Sequence, residues 1–170
     1  MMSEPRRPMT TPHRRIGYRI GLPVAVLVFA VDQASKWLML DVMTPPRIIE
    51  VTGFFNLVLA WNTGVSFSLF SGSGDLGRWL LCGVAVVVSA VILVWMGRSD
   101  RKLLVGGFGA IVGGALGNAL DRVIHGAVVD FLDFHAAGWH WPAFNAADSA
   151  ITLGVVAVLA DGLFRPHPAG

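Results

Sequence analysis

Two aspartates, Asp130 and Asp148, are the strongest candidates for chemistry in this sequence. Each lies between apolar or small residues, with no Lys or Arg beside it. If the two carboxyls meet in space, like-charge repulsion keeps them from both ionising, so one holds a proton while the other is a base. Such a pair can activate water against an amide carbonyl without a covalent intermediate. Sequence spacing alone is weak evidence that they meet.

Other hydrolytic chemistry has less support. The sequence contains neither Gly-x-Ser-x-Gly nor His-Glu-x-x-His, which argues against common serine and zinc hydrolases. His135 and His140 are five residues apart with Asp133 nearby, but no recognised ligand spacing accompanies them. We therefore interpret them as surface histidines, and expect no metal and no cofactor.

The composition predicts an integral membrane protein. Of the 170 residues, 54% are hydrophobic and only 14% are charged, and the mean hydropathy is +0.63. Those values are too apolar for a soluble domain of this length. A helix needs about 20 mainly apolar residues to cross a bilayer, and four stretches approach that length: residues 17–40, 78–97, 102–121 and 146–164.

The distribution of basic residues predicts the orientation of the chain. Lys and Arg concentrate before the first span, between the second and third, and after the fourth, which the positive-inside rule assigns to the cytoplasm. Both termini are then cytoplasmic, and residues 1–15 form a Pro/Arg-rich tail. A net charge of +2 gives no reason to expect a nucleic-acid partner. The single cysteine, Cys82, is interpreted as a small packing residue within the second span.

This orientation gathers the unusual polar residues near the outer leaflet, with Asp130 in the connection before the fourth span. Ionisable groups in membrane segments are costly and usually mark a working site. The other members of this group are Asp32, Lys36, Asn118, Asp121, Arg122, Asn145 and Asp148.

Some of these charges also have a purely structural explanation. Residues one helical turn apart can pair, and a lysine can extend its amine to the membrane surface. The candidate local pairs are Asp32 with Lys36, Asp121 with Arg122 as a helix-end pair, and Asp161 with Arg165.

The outer loops have their own patterns. Large side chains alternate at Phe55, Leu57, Leu59 and Trp61, which predicts a small sheet resting on the membrane. A turn at 62–64 follows, after which residues 65–70 either return as a strand or dip into the bilayer.

In the third span, glycines at four-residue spacing favour close helix packing: Gly109, Gly113 and Gly117.

Five polar blocks, taken in order, resemble those of the lipoprotein signal peptidases, also called signal peptidase II, the membrane aspartic peptidases of bacteria. The resemblance covers most of the chain. The blocks are Asp32-Gln33-Ala34-Ser35-Lys36, Asn62-Thr63-Gly64-Val65-Ser66-Phe67, Gly113-Gly114-Ala115-Leu116-Gly117-Asn118 with Asp121-Arg122, Val128-Val129-Asp130-Phe131, and Phe144-Asn145-Ala146-Ala147-Asp148-Ser149.

The resemblance implies that Asp130 and Asp148 are the catalytic pair. It also implies a substrate, a prolipoprotein whose cysteine carries a diacylglyceryl group and which is cut immediately before that cysteine, and sensitivity to globomycin. Other residues match positions that bind substrate or support the site in the family: Asp32, Lys36, Asn62, Gly64, Asn118, Arg122 and Asn145.

The expected protein is therefore a single membrane-embedded peptidase domain over residues 1–170, in the bacterial inner membrane. We predict an all-α four-transmembrane-helix bundle with a small periplasmic β-rich loop region, a site near the periplasmic face, and a monomer in contact with membrane lipid. Two alternatives stay open: a small transporter that uses the ionisable residues as a proton relay, and a scaffold subunit that uses the glycine face.

Overall fold

Four long helices and a small antiparallel sheet make up the protein, as expected from its sequence. The computed structural model describes residues 13–64 and 74–164. The helices are α1 (His13–Val42), α2 (Gly74–Met96), α3 (Lys102–His125) and α4 (Ala146–Leu163), and each is long and apolar enough to span a membrane. The protein is thus a multi-pass membrane protein. The question whether residues 65–70 form a strand falls outside the described residues.

Helix α3 lies at the centre of the bundle, in contact with α1, α2 and α4. The buried apolar core joins α1, α2 and α3 through Ala25, Ile92, Met96, Val105 and Phe108. Large aliphatic side chains on the outer faces of the other three helices are exposed, as lipid-facing residues must be. The helix that carries Asn118, Asp121 and Arg122 is therefore the one shielded from lipid by protein.

The glycine face of α3 allows this close packing, as the sequence predicts. A Cβ added at Gly109 or Gly113 would meet the backbone carbonyl oxygens of Gly21 and Ala25 on α1. On the opposite side, a Cβ at Gly114 would lie 2.6 Å from the carbonyl oxygen of Ala147 on α4. Only a residue without a side chain lets these backbones approach so closely.

We expect Gly113→Ala to destabilise the protein by about 1–3 kcal/mol, because its methyl group must displace backbone of α1. Gly106→Ala, on the same helix, is the matched control, since a Cβ there meets nothing within 4 Å. The control should be neutral or stabilising by up to about 1 kcal/mol. Thermal unfolding in detergent compares the two. Equal melting temperatures would contradict the packing argument.

All four strands lie at one end of the bundle, because they follow the C-termini of α1 and α3 and precede the N-termini of α2 and α4. Strands β1 (Ile49–Thr52), β2 (Phe55–Asn62), β3 (Val128–Ala136) and β4 (Trp139–His140) pair antiparallel in that order. The alternation of large residues in the sequence predicts β2. No pattern in the sequence predicts β3, which carries Asp130 and lies in the connection before the fourth span.

Candidate active site

Asp130 lies in the middle of the sheet, and its side chain is almost completely buried. It pairs with Ala60 on β2, beside an irregularity in the strand register, and its exposed fraction is 2%. The Nδ2 of Asn145 donates to its Oδ1 at 2.6 Å, and the Asn62 side chain also hydrogen-bonds to it. Burial, with the nearby charge of Asp148, raises the pKa of Asp130 to about 6, against the opposing effect of these hydrogen bonds.

Asp148 lies in the first turn of α4, where a reciprocal capping box fixes its position. The Oδ1 of Asn145 accepts the Asp148 N–H at 3.0 Å, and the Oδ2 of Asp148 accepts the Asn145 N–H at 3.2 Å. The other carboxyl oxygen accepts Nδ2–H of Asn118 at 2.8 Å. Two N–H donors and the positive end of a helix suit a carboxylate.

One fully buried asparagine joins the two aspartates. Asn145 donates its side-chain amide to Asp130 and its backbone N–H to Asp148. Its side-chain amide also donates to the Oδ1 of Asn118 at 3.3 Å, and the Nδ2 of Asn118 donates to Asp148. The structure thus brings together two carboxyls that are 18 residues apart in the chain. We call Asp130 and Asp148 the aspartate pair.

A buried lysine lies behind the aspartate pair. The Nζ of Lys36 lies 2.8 Å from Asp32 Oδ2, 2.9 Å from Asp121 Oδ2 and 2.9 Å from Asn118 Oδ1. We call these four residues the lysine cluster. Lys36 is 1% exposed, so the expectation that its amine extends to the membrane surface is wrong. Its pairing with Asp32 is observed as the spacing suggested.

The two carboxylates of the lysine cluster hold the backbone on which the aspartate pair is built. Asp32 Oδ1 accepts the N–H of Ala147 at 2.9 Å, and Asp121 Oδ2 accepts the N–H of Val129 at 3.1 Å. Ala147 and Val129 each directly precede a member of the aspartate pair. A single lysine therefore positions both halves of the site through two carboxylates.

Asp121 is the site residue that sequence reasoning missed. The prediction of a local pair with Arg122 is wrong, because Asp121 turns inward to Lys36 on α1 and also accepts from Gln33 Nε2 at 3.0 Å. Helix α3 continues to His125, beyond the predicted end at 121, and so carries Asp121 within its buried part. The signals in the sequence were its place among the polar residues near the outer leaflet and its position beside Arg122 in a polar block.

Arg122 lies beside the aspartate pair with a free donor. Its Nη1 donates to the backbone oxygen of Asn118 at 3.2 Å. Its Nε is buried, and no residue in the described part of the chain accepts from it. The carboxyls of Asp130 and Asp148 are close enough to interact with its charge. This guanidinium therefore has unused hydrogen-bonding capacity beside the aspartate pair.

Asn62 and Gly64 form the turn at the end of β2. The Oδ1 of Asn62 accepts the N–H of Gly64 at 2.9 Å. Gly64 has φ +80°, and a Cβ there would lie 2.5 Å from Leu81 Cδ1. The positive φ favours glycine, and a larger residue would also have to displace the Leu81 side chain. Because Asn62 also hydrogen-bonds to Asp130, this turn belongs to the edge of the site.

Other predicted residues lie away from the aspartate pair. Asp161, near the far end of α4, pairs with Arg101 at 2.6 Å, while Arg165, its expected partner, is outside the described residues. His140 is exposed and hydrogen-bonds to Asp133. Within residues 13–64 and 74–164, no group of three His, Cys, Asp or Glu side chains is placed to hold a metal ion.

Comparison with known proteins identifies relatives over most of the chain. The family model described as "Signal peptidase (SPase) II" matches residues 24–164. A lipoprotein signal peptidase of Rhodopseudomonas palustris is 47% identical over 85% of this chain and 92% of its own length. One of Methylorubrum extorquens is 47% identical over 89% of each chain.

Solved structures agree in fold. A structure described as a bacterial membrane enzyme superposes with a TM-score of 0.76 at 27% identity, over 86% of this chain and 94% of that one. A second structure with the same description gives a TM-score of 0.73 at 27% identity, over 84% and 87% of the two chains. Both the sequence and the arrangement of elements thus match a family of membrane enzymes.

Proposed function

The chain belongs to the signal peptidase II family and is a peptidase, and we propose that Asp130 and Asp148 are its catalytic pair. The observation that carries this proposal is one buried residue, Asn145, whose side-chain amide donates to the Asp130 carboxyl and whose backbone N–H donates to the Asp148 carboxyl. Membership in a peptidase family decides against the transporter and the scaffold. Two linked carboxyls with different surroundings are the arrangement expected of an acid and a base.

The different surroundings of Asp130 and Asp148 support different roles for them, as acid and as base. Asp130 is buried and keeps its proton to higher pH, so it is the acid that polarises the scissile carbonyl. Asp148 accepts two N–H hydrogen bonds at the start of α4 and is the base that removes a proton from the attacking water. When the tetrahedral intermediate collapses, Asp148 gives that proton to the leaving amine and Asp130 regains its own. No covalent intermediate is formed.

Neighbouring donors hold the substrate and the developing charge. The Nε of Arg122 is free to donate to a substrate carbonyl, and hydrogen-bond donors aimed at such an oxygen lower the barrier to its attack. Asn62 is exposed and reaches Asp130, so it lies where the substrate backbone enters. The lysine cluster, which includes Asn118, lies behind the aspartate pair and holds its geometry.

The proposed substrate is a bacterial prolipoprotein with a diacylglyceryl-modified cysteine, cut immediately before that cysteine. The relatives named above are lipoprotein signal peptidases. The aspartate pair lies at the sheet end of the bundle, level with helix ends, where a lipid-anchored cysteine would be held. The basic residues Arg98, Arg101 and Lys102 lie at the opposite end, which by the positive-inside rule supports a site at the outer, periplasmic face of the inner membrane.

The test of this substrate is lipid dependence. Purified enzyme is given a diacylglyceryl-modified prolipoprotein and the same protein without the modification. We expect cleavage before the cysteine of the modified form only, located by mass spectrometry of the mature fragment. Cleavage at another bond, or equal cleavage of both forms, would reject the proposed specificity. A folded enzyme that cuts neither form would reject the proposed function.

The raised pKa of Asp130 gives a pH prediction. An acid with a pKa of about 6 is protonated below that pH, so kcat/KM should fall as pH rises above about 6, by about tenfold per unit at the limit. The stability of the folded protein should also decrease as the pH rises. The folded protein holds this proton more tightly than an unfolded carboxyl with the ordinary pKa of 3.8, so stability falls between pH 4 and 6.

The measurement is a pH profile of kcat/KM with a substrate that has no titratable group near the cut. A rate that rises steadily from pH 6 to pH 8 would reverse the assignment and make Asp130 the base.

A further inference from the structure

An open aromatic groove lies on the outer sheet. Its volume is about 410 Å³, within the range of small-ligand pockets. Its side chains come from the turn between β1 and β2, from the β3–β4 hairpin and from the segment before α4. The residues that matter here are Phe54, Phe134, His135, Trp139, Trp141 and Phe144.

The groove begins beside the aspartate pair. Phe134 is four residues after Asp130 on the same strand, which places both on one face at about 13 Å separation. Phe144 directly precedes Asn145, and its ring stacks on that of Phe134 with centroids 5.9 Å apart. An extended chain leaving the aspartate pair along β3 would therefore enter the groove.

The groove has an apolar wall and one unsatisfied polar atom. Trp139 and Trp141 are 62% and 57% exposed. Covering such a large apolar surface with a ligand would be favourable, because it would remove that surface from water. The Nε2 of His135 is buried, and it has no hydrogen-bond partner among residues 13–64 and 74–164. An aromatic side chain in the groove would cover these exposed rings.

The hairpin that forms the wall is held in place before any ligand arrives. Asp133 is buried, accepts Asn56 Nδ2–H at 3.1 Å, and lies 2.9 Å from His140 Nδ1. The hydrogen bond with His140 holds the pKa of Asp133 below its usual range. The ring of His140 stacks on that of His135 at 4.9 Å. A preformed wall lowers the entropic cost of binding.

We propose that this aromatic groove binds the mature chain of the substrate a few residues beyond the cut and prefers an aromatic side chain there. The inference rests on the proposed function. At about 3.3 Å per residue, a distance of about 13 Å corresponds to roughly the fourth residue of the mature chain. A peptide fits better than lipid, because the surface is concave, lies beyond the helix ends and continues along β3 from the aspartate pair.

The experiment is a positional scan. A diacylglyceryl-modified prolipoprotein with serine at mature positions 2 to 6 is the reference, and one phenylalanine is moved through these positions. We expect kcat/KM to rise about tenfold, the effect of one well-packed anchor side chain, at about position 4 and little elsewhere. A flat profile would overturn the groove assignment. Absence of cleavage of the reference itself would overturn the proposed function, and the groove with it.

The double variant Trp139→Ala/Trp141→Ala removes the exposed wall, and it should abolish the phenylalanine preference while leaving cleavage of the serine reference unchanged. Trp37→Ala is the matched control, because Trp37 is 66% exposed on α1 outside the groove. It should keep the preference. If the double variant lowers cleavage of every substrate by the same factor, the groove contacts membrane or supports the fold, and the proposal is wrong.

Discussion

Asp130→Asn and Asp148→Asn are each expected to lower cleavage of a diacylglyceryl-modified prolipoprotein by about 10³-fold or more. Removing a general acid or base lowers the rate by about 10²–10⁴-fold, and both carboxyls transfer protons in the same reaction. An amide has the shape of the carboxyl but cannot give or take the proton. The measurement is single-turnover cleavage by purified variants, with thermal unfolding measured on the same preparations.

Asp75→Asn is the matched control, because Asp75 lies at the same end of the bundle with its side chain 89% exposed. It should cleave like wild type. The two site variants differ in one respect. Asp130→Asn keeps an oxygen for Asn145, whereas Asp148→Asn keeps only one of the two oxygens that accept from Asn145 and Asn118, and it should melt somewhat lower. Substantial turnover by either variant would reject the assignment of that residue.

Lys36→Met is expected to destabilise the protein by about 3–5 kcal/mol, the cost of breaking a buried ion pair by removing one partner. The variant leaves Asp32 and Asp121 buried without their common cation. It should also lose most activity, because these carboxylates hold the backbone N–H groups of Ala147 and Val129. Thermal unfolding and cleavage rate measure the two effects.

Lys102→Met provides the comparison, since Lys102 is an exposed lysine at the opposite end of the bundle. It should change stability by less than about 0.5 kcal/mol. Adding Asp121→Asn to Lys36→Met should recover part of the stability, because one of the two buried carboxylates left without a cation becomes a neutral amide. A Lys36→Met protein that melts and cleaves like wild type would show that the lysine cluster does not support the site.

Local patterns predicted much of this protein. Hydropathy located four helices, alternation of large residues located β2, and four-residue glycine spacing indicated that α3 packs closely against a neighbouring helix. The pairing of Asp32 with Lys36 was also foreseeable, because one helical turn separates them. Each of these features depends on residues that are near one another in the chain.

Features that depend on distant residues could not be predicted. Lys36 is shared between Asp32 on its own helix and Asp121 on another, and no spacing rule reports that second contact. Strand β3 forms because it pairs with β2, about seventy residues earlier in the chain, although its apolar run gave no clear period. The burial that raises the pKa of Asp130 follows from that pairing.

The most direct test of the central claim is to measure substrate binding and single-turnover cleavage on one preparation of Asp130→Asn. This amide mimics the shape and neutrality of the protonated acid but lacks its transferable proton. If the aspartate pair performs the chemistry, the variant binds the diacylglyceryl-modified prolipoprotein with nearly wild-type affinity and does not cut it. Cleavage at a rate within about tenfold of wild type would contradict the claim, since loss of an acid costs more than that.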